Sequence, residues 1–405
     1  MCVTMPPAAP ALREPLRAKQ AVQDLRSSKI REVANASMGQ ADVLPFWFGE
    51  PDEPTPPFIR EAAIARIAAG DSHYVQTLGV PALRHAIARY VSGLHQPCTA
   101  EQVAVTSSGT AALMLAMQAL VRPGDRVVAV TPLWPNLVEM PKLLGAEVTT
   151  VGLHFTPAGW QLDLDRLLAA LVPGTRAVLV NSPNNPTGWV MSAAAQQAVL
   201  AHCRRHGIWI VCDDVYERYS FGARCAPSFL DAAQPLDRVI SCNSFSKAWQ
   251  MTGWRIGWIV FPADMQQDIS KLIEYNTTCT PSFVQHAAVA ALEQGEPVIA
   301  RMVGRLQAAQ SHLVARLAQL PRVRVAGLAQ GAMYTFFRVD GVGDSLDFCK
   351  RLVAAHGLGL APGIAFGSEG EGYLRWCYAS SLERIEDGVQ RLATALADLG
   401  APDGP

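Results

Sequence analysis

The sequence predicts an α/β protein: a large domain whose mostly parallel sheet is covered by helices on both faces, and a smaller α+β domain. Three observations predict it. Short apolar runs alternate with helical segments from about residue 60, as in strands buried on both faces. After residue 260 the pattern changes to one long helical stretch over 296–320, then a sparser α+β rhythm. The 405 residues, half of them apolar, suit two or three domains at roughly 150 residues each. We place an N-terminal arm at 1–45, the large domain at 46–295 and the small domain at 296–405. The N-terminal segment should join the two domains in space.

Each element has a local reason. Residues 1–45 hold several prolines and little apolar periodicity, which predicts an arm. Residues 59–69 are amphipathic. Pro81 suits the first turn of a helix that ends near Gly93. A short strand over 102–106 precedes a strongly apolar helix over 109–121. Pro123-Gly124-Asp125 is a turn, followed by a strand over 126–130. A helix over 134–144 and a strand over 147–151 follow, and Asp163 caps a helix reaching 171. The apolar runs 176–180, 208–212 and 238–242 read as buried strands flanked by helices or loops. In the small domain we expect strands over 333–339 and 373–378 and helices over 344–356 and 382–399.

Composition narrows the function. Thirty-four basic and 35 acidic residues give a net charge of −1, and no Lys/Arg cluster stands out, which argues against nucleic-acid binding. Only 17% of residues are charged, which points to surface buried in an oligomer. The apolar stretch 111–121 is interrupted by Gln118 and is far shorter than the ~20 residues of a membrane span. No signal peptide is expected at the Pro-rich N-terminus. The nine cysteines are scattered, odd in number and without a C-x-x-C pair, so we expect reduced thiols and a cytoplasmic protein.

Ligands of an open parallel sheet sit at the carboxyl ends of its strands. Four polar clusters follow predicted strands: 107–110 (SSGT), 181–188 (NSPNNPTG), 213–216 (DDVY) and 243–247 (NSFSK). Any one suits an ordinary turn, but four of different chemistry in one topological place argue for a site. The first joins a strand to a helix and reads either as a helix cap or as an anion site. Arg255, ahead of the apolar run 256–261, is either a strand-entrance residue with a carboxylate partner or a fork for phosphate. Asp213 ends an apolar run, where an unpaired carboxylate is costly. It is either a structural cap or ion pair, or a carboxylate aimed at a cationic ligand nitrogen.

From Phe48 to the last helix the chain resembles the class I/II aminotransferases, which carry pyridoxal 5′-phosphate on fold type I. The specific matches are Ser244-Phe245-Ser246-Lys247 with 251–257 (MTGWRIG), and 181–188. Residues 213–217 (DDVYE) carry Asp214 where Glu is more usual. Gly49-Glu50-Pro51-Asp52, Tyr74 with Gly79 to Arg84, and Tyr373-Leu374-Arg375 complete the order. The resemblance implies that Lys247 forms an imine with the cofactor aldehyde and then shuttles the substrate Cα proton, with Arg255 lowering its pKa. It implies that Asp213 holds the ring nitrogen protonated, and that Asn185 and Tyr216 bond the phenolic oxygen. Ser108, Gly109, Thr110, Ser244 and Arg255, with Ser246, would cradle the phosphate, and Trp134 would stack on the ring. Arg375 would fork the substrate carboxylate, with Gly49 N–H and Asn185 also at the substrate. Tyr74 would reach the neighbouring subunit's phosphate, making a homodimer with shared sites. The partners would then be an amino acid and a 2-oxo acid, with neither nucleic acid nor membrane.

Other readings are weaker. Ser244 to Lys247 also fits S-x-x-K of serine acylases, but S-D-N and K-T-G are absent from the sequence. His202 and His206, at i and i+4, suit zinc, but their helix face reads as solvated surface. Regulators with an aminotransferase-like domain need a DNA-binding head, and about 45 residues without basic patch precede Gly49. A C–S lyase or ring-closing synthase on the same fold remains the alternative. No cation for a distal carboxylate is identifiable. Phe46-Trp47-Phe48 and Tyr334 therefore tilt the donor toward an aromatic, aliphatic or otherwise uncharged side chain.

Overall fold

A computed structural model describes residues 17–40 and 42–398. The start of the predicted arm and the last residue of the predicted 382–399 helix lie outside the described residues. Among these, the larger sheet has seven strands, ordered Val103–Thr106, Gly257–Val260, Val239–Ser244, Trp209–Asp213, Thr175–Asn181, Arg126–Thr131 and Glu147–Gly152. Six run parallel, and Gly257–Val260 is antiparallel to both neighbours. Successive strand side chains face opposite sides. Val127, Ala129 and Val211 therefore enter one core with helix Gly109–Leu120, and Val128, Val130 and Ile210 enter another with helix Ala193–His206. That two-sided burial is why these strands read as unbroken apolar runs.

The change of pattern at 260 is not the change of domain. Helices Gln266–Thr277 and Ser282–Gln294, absent from the sequence expectation, pack on the large-sheet cores through Ile269, Ile273, Ala287 and Ala291. Helix Glu296–Leu317 crosses over: Ile299 packs with the large-sheet side, while Met302, Leu306, Leu313 and Leu317 enter the core of the small sheet. That sheet is antiparallel, ordered Val323–Arg324, Tyr334–Val339, Tyr373–Cys377, Ala361–Pro362.

The N-terminal segment carries more structure than its composition announced. Ser28 Oγ caps helix Lys29–Asn35 by accepting from Arg31 N, and Ile30, Val33 and Ala34 enter the small-sheet core. Leu44–Pro45 pairs with Leu358–Gly359, and Phe46 and Trp47 are buried beside it. Gly359 permits this approach, because a Cβ there would lie 2.1 Å from the Trp47 ring. No described helix is long and apolar enough to cross a membrane.

Candidate active site

Strand direction gathers the site. Five of the six parallel strands end at Thr106, Thr131, Asn181, Asp213 and Ser244, along one edge of the sheet. The antiparallel strand begins at that edge, with Gly257 opposite both Thr106 and Ser244. Arg255, just before it, therefore lies beside residues that follow the other strands. A Cβ on Gly257 would lie 2.6 Å from both Asn243 O and Gly109 N, so glycine lets the helix start close on the sheet.

All the predicted site residues except Ser108 and Tyr74 line one cavity: Gly49, Gly109, Thr110, Trp134, Asn185, Asp213, Tyr216, Ser244, Ser246, Lys247, Arg255 and Arg375. Ile30, Phe48, Leu113, Val215 and Tyr334 complete the wall. Ser108 departs from the expectation. Its hydroxyl accepts from Ala111 N at 3.0 Å and serves as the helix cap rather than lining the cavity. Tyr74 lies outside its own chain's cavity with 88% of its surface exposed.

One end of the cavity is built for an anion. The first turn of helix Gly109–Leu120 presents N–H groups that no helical carbonyl can take. Around it stand Thr110, Ser244 and Ser246, the last two joined Oγ to Oγ at 2.8 Å. Arg255 donates to Thr252 O at 2.7 Å, and no carboxylate of the described residues pairs with it. Its φ of 53° is left-handed, a conformation non-glycine residues hold at a cost of about 1–3 kcal/mol.

The middle is built for a cation facing an amine. Asp213 is buried and accepts only a long bond, 3.4 Å, from Val215 N. Burial pushes its carboxyl up to about 7, so a cationic ligand would find a partner that the protein leaves without one. Asp214 turns away and is satisfied by Ser241 and Ser228 hydroxyls at 2.6 and 3.3 Å. Lys247 donates to Gly49 O, and its Nζ sits 5.8 Å from the Tyr216 ring centre. Burial holds its amine down to about 8, and the nearby cation that adds to this is Arg375, not the expected Arg255. Tyr216 and Tyr334 meet hydroxyl to hydroxyl at 2.5 Å.

The other end holds Arg375. It is 2% exposed, donates to Asn185 Oδ1 at 2.9 Å and to Trp47 O, and leaves its buried Nε without a partner. Tyr334 and Phe366 rings flank the guanidinium at 4.5 and 5.0 Å. Gly49 has no room for a side chain, since a Cβ would fall 1.8 Å from the Tyr334 hydroxyl. Asn181, quoted only as part of a motif, supports the whole: its amide donates to Asp213 O and its carbonyl accepts from Asn185 N. Ile30 was not foreseen, because a seven-residue helix is too short for periodicity to reveal its face.

An anion site at a helix start, a buried carboxyl short of a cation and a buried amine of low basicity fit one group, pyridoxal 5′-phosphate. Fold and cavity together thus define a pyridoxal-phosphate-dependent enzyme. The model of the family "Aminotransferase class I and II" matches residues 41–392. An aspartate aminotransferase of Thermotoga maritima is 32% identical over 352 residues, 87% of this chain and 90% of that one. An arginine–pyruvate transaminase of Pseudomonas aeruginosa is 32% identical over 372 residues, 91% and 93% of the two chains. The crystal structure of an aspartate aminotransferase from Thermotoga maritima superimposes with a TM-score of 0.86 at 31% identity, covering 94% of this chain and all of that one. The chain belongs to the class I and II aminotransferases. It is a pyridoxal-phosphate-dependent aminotransferase of fold type I, which moves amino groups between amino acids and 2-oxo acids.

Proposed function

We propose that this aminotransferase takes a donor with an uncharged, apolar or aromatic side chain, gripped through its α-carboxylate by Arg375. The observation that carries this reading is the charge count of the cavity. Its charged side chains are Asp213, Lys247, Arg255 and Arg375. Once each has its role, the described residues that line the cavity offer no further cation for a second carboxylate and no further anion for a cationic side chain. The remaining wall is Ile30, Phe48, Leu113, Val215 and Tyr334. The relatives named for aspartate and for arginine therefore do not transmit their donors. The test is kcat/KM over a panel of amino acids with pyruvate and 2-oxoglutarate as acceptors. Aromatic and aliphatic donors should lead, and aspartate or arginine as the best donor would overturn the reading.

The residue roles belong to the same proposal. The bound cofactor supplies an aldehyde that joins an amine and a ring that accepts electrons from the substrate Cα. Gly109, Thr110, Ser244, Ser246 and Arg255 hold its phosphate, with Ser108 acting through the helix it caps. Asp213 holds a proton on the ring nitrogen, Asn185 and Tyr216 hold the phenolic oxygen, and Trp134 covers one ring face. Lys247 would hold the cofactor through its side-chain amine and, when that amine is free, would carry the substrate Cα proton.

Arg375 lies on the small sheet and Lys247 in the turn after strand Val239–Ser244 of the large one, so a carboxylate on Arg375 links the two. Residues 46–295 and 296–405 would then act as two bodies, with the 1–45 segment spanning them, and closure would exclude water. Arg375→Lys replaces a planar fork by a single mobile charge. Losing one charge-assisted bond, about 1.5–3 kcal/mol, should raise KM for amino and oxo acids alike by roughly 10- to 100-fold, with cofactor absorbance unchanged. Unchanged affinity for carboxylate substrates would place the clamp elsewhere.

The same reading makes the protein a cytoplasmic homodimer. Its eight described cysteines are free, as in a reducing compartment. Tyr74 and Tyr275 are 88% and 89% exposed, and Ile64 and Ile67 stand exposed nearby on helix Pro57–Ala68. An Arg66–Asp71 ion pair and a Thr77–Glu274 bond tie the Tyr74 loop to the helices carrying the other three. Apolar surface gathered in this way supports an interface, with Tyr74 reaching the partner's phosphate end. Light scattering at micromolar concentration should give twice the chain mass, and Tyr74→Phe should weaken cofactor retention. A fully active monomer would refute the shared site.

A further inference from the structure

Outside the cavity, two segments distant in sequence, one at residue 95 and one at 217–225, bring ligand-type atoms together. His95, beyond the helix Pro81–Ser92, has a side chain only 2% exposed. Its Nε2 lies 3.1 Å from Glu217 Oε2 and 3.9 Å from Cys225 Sγ, and all three ligand atoms lie within 4.8 Å of one another. We propose that His95, Glu217 and Cys225 bind a zinc ion, with water as the fourth ligand.

Distance, orientation and donor chemistry agree on this. Zinc bonds of roughly 2.0–2.1 Å to nitrogen, 2.0–2.2 Å to carboxylate oxygen and 2.3 Å to sulfur set tetrahedral edges of about 3.4 Å (N to O) and 3.6 Å (N to S). The two distances from Nε2 are each about 0.3 Å from those edges, and the Glu217 and Cys225 atoms, within 4.8 Å of each other, close to the O-to-S edge of about 3.6 Å by a turn of the thiol. The second nitrogen of His95, Nδ1, is 2.7 Å from Asp231 Oδ1. A carboxylate there accepts a hydrogen bond from Nδ1–H, which keeps that proton on Nδ1 and turns the Nε2 lone pair toward Glu217 and Cys225, the outer-sphere arrangement of metal-bound histidine. Glu217 is fixed in the same way: Oε1 accepts from Asn243 Nδ2 at 2.8 Å, leaving Oε2 for the metal. One imidazole, one thiolate and one carboxylate favour zinc over the harder magnesium or calcium. Cys225 is only partly buried, which gives the ion and its water a way in. Binding would release the Cys225 thiol proton to solvent, and the Nε2 proton too where His95 carries one.

The rival occupant of this space is that proton, with His95 charged and hydrogen-bonded to both carboxylates. The two exclude each other, so metal analysis decides. The holoenzyme is stripped with a chelator, dialysed, and titrated with Zn²⁺ alone. We expect one zinc per chain by mass spectrometry, a sulfur shell at about 2.3 Å in X-ray absorption, and Cys225 shielded from iodoacetamide by zinc. Cys225→Ser should weaken binding by more than the roughly 10- to 100-fold of an outer-shell change, with cofactor absorbance reporting that the variant is folded. The wild-type measurements stand even if that variant does not fold. No stoichiometric zinc, with Cys225 alkylated equally fast with and without it, overturns the proposal. So does zinc uptake that survives Cys225→Ser and disappears in His202→Gln, which would place the ion on the His202–His206 pair.

Discussion

Lys247→Ala should abolish amino transfer, lowering turnover by roughly 10⁴-fold or more. That is the upper end of what a positioned general base contributes, and this amine also carries the cofactor. Lys247 is buried where a cation is poorly solvated, and its amine is held down to about 8. Its neutral, nucleophilic fraction therefore rises with pH through that value, and cofactor capture by the stripped protein should rise with it. Alanine leaves the anion end intact, so the variant should still bind cofactor, reversibly. Borohydride should fix the cofactor to a single peptide containing Lys247 in the parent and to none in the variant. A purely structural lysine would behave otherwise. If the bond from Lys247 to Gly49 O were its whole role, the variant would lose stability and keep turnover. Lys247→Arg separates the cases: it keeps a cation near Gly49 but has no amine of low basicity. A Lys247→Ala enzyme with normal turnover would sink the assignment.

The parallel core was legible because strands such as Arg126–Thr131 feed two cores at once and must be apolar at nearly every position. The direction of Gly257–Val260 was not, since pairing direction is set by neighbours distant in sequence. Nor was helix Gln266–Thr277, which buries only Ile269 and Ile273 and so shows little apolar face. The site was legible where chemistry follows a strand end: Asp213, Lys247 and Asn185 announce themselves as polar groups after apolar runs. Ser108 suits either of the two readings of its cluster for a local reason. A serine before a helix has the cap within reach, and the cap took its hydroxyl. Arg375 was legible only through resemblance. Within its own strand nothing distinguishes it, and its meaning comes from Asn185 and Trp47, both far away in sequence.

Asp213→Asn should keep the cofactor bound yet lower turnover by roughly 10²- to 10³-fold, the loss seen when one preorganised electrostatic contact is removed. The amide has the size of the carboxyl but not its charge, so a proton on the ring nitrogen would lose its counter-ion in a site closed to water. A structural role for Asp213 predicts the opposite order of effects, with stability falling first. The carboxyl's raised pKa, about 7, makes the distinction sharp. Between about pH 4 and 7 the folded, cofactor-free protein binds more protons at this residue than the unfolded chain. Its stability therefore declines as pH rises through that window. Asparagine has no charge to desolvate, so the stripped variant should melt higher than the stripped parent above about pH 7. Higher stability with lower turnover is the signature of a charge kept for the ligand rather than for the fold. A rate loss under tenfold, less than about 1.4 kcal/mol of barrier, would mean that the ring does not depend on Asp213 for its proton.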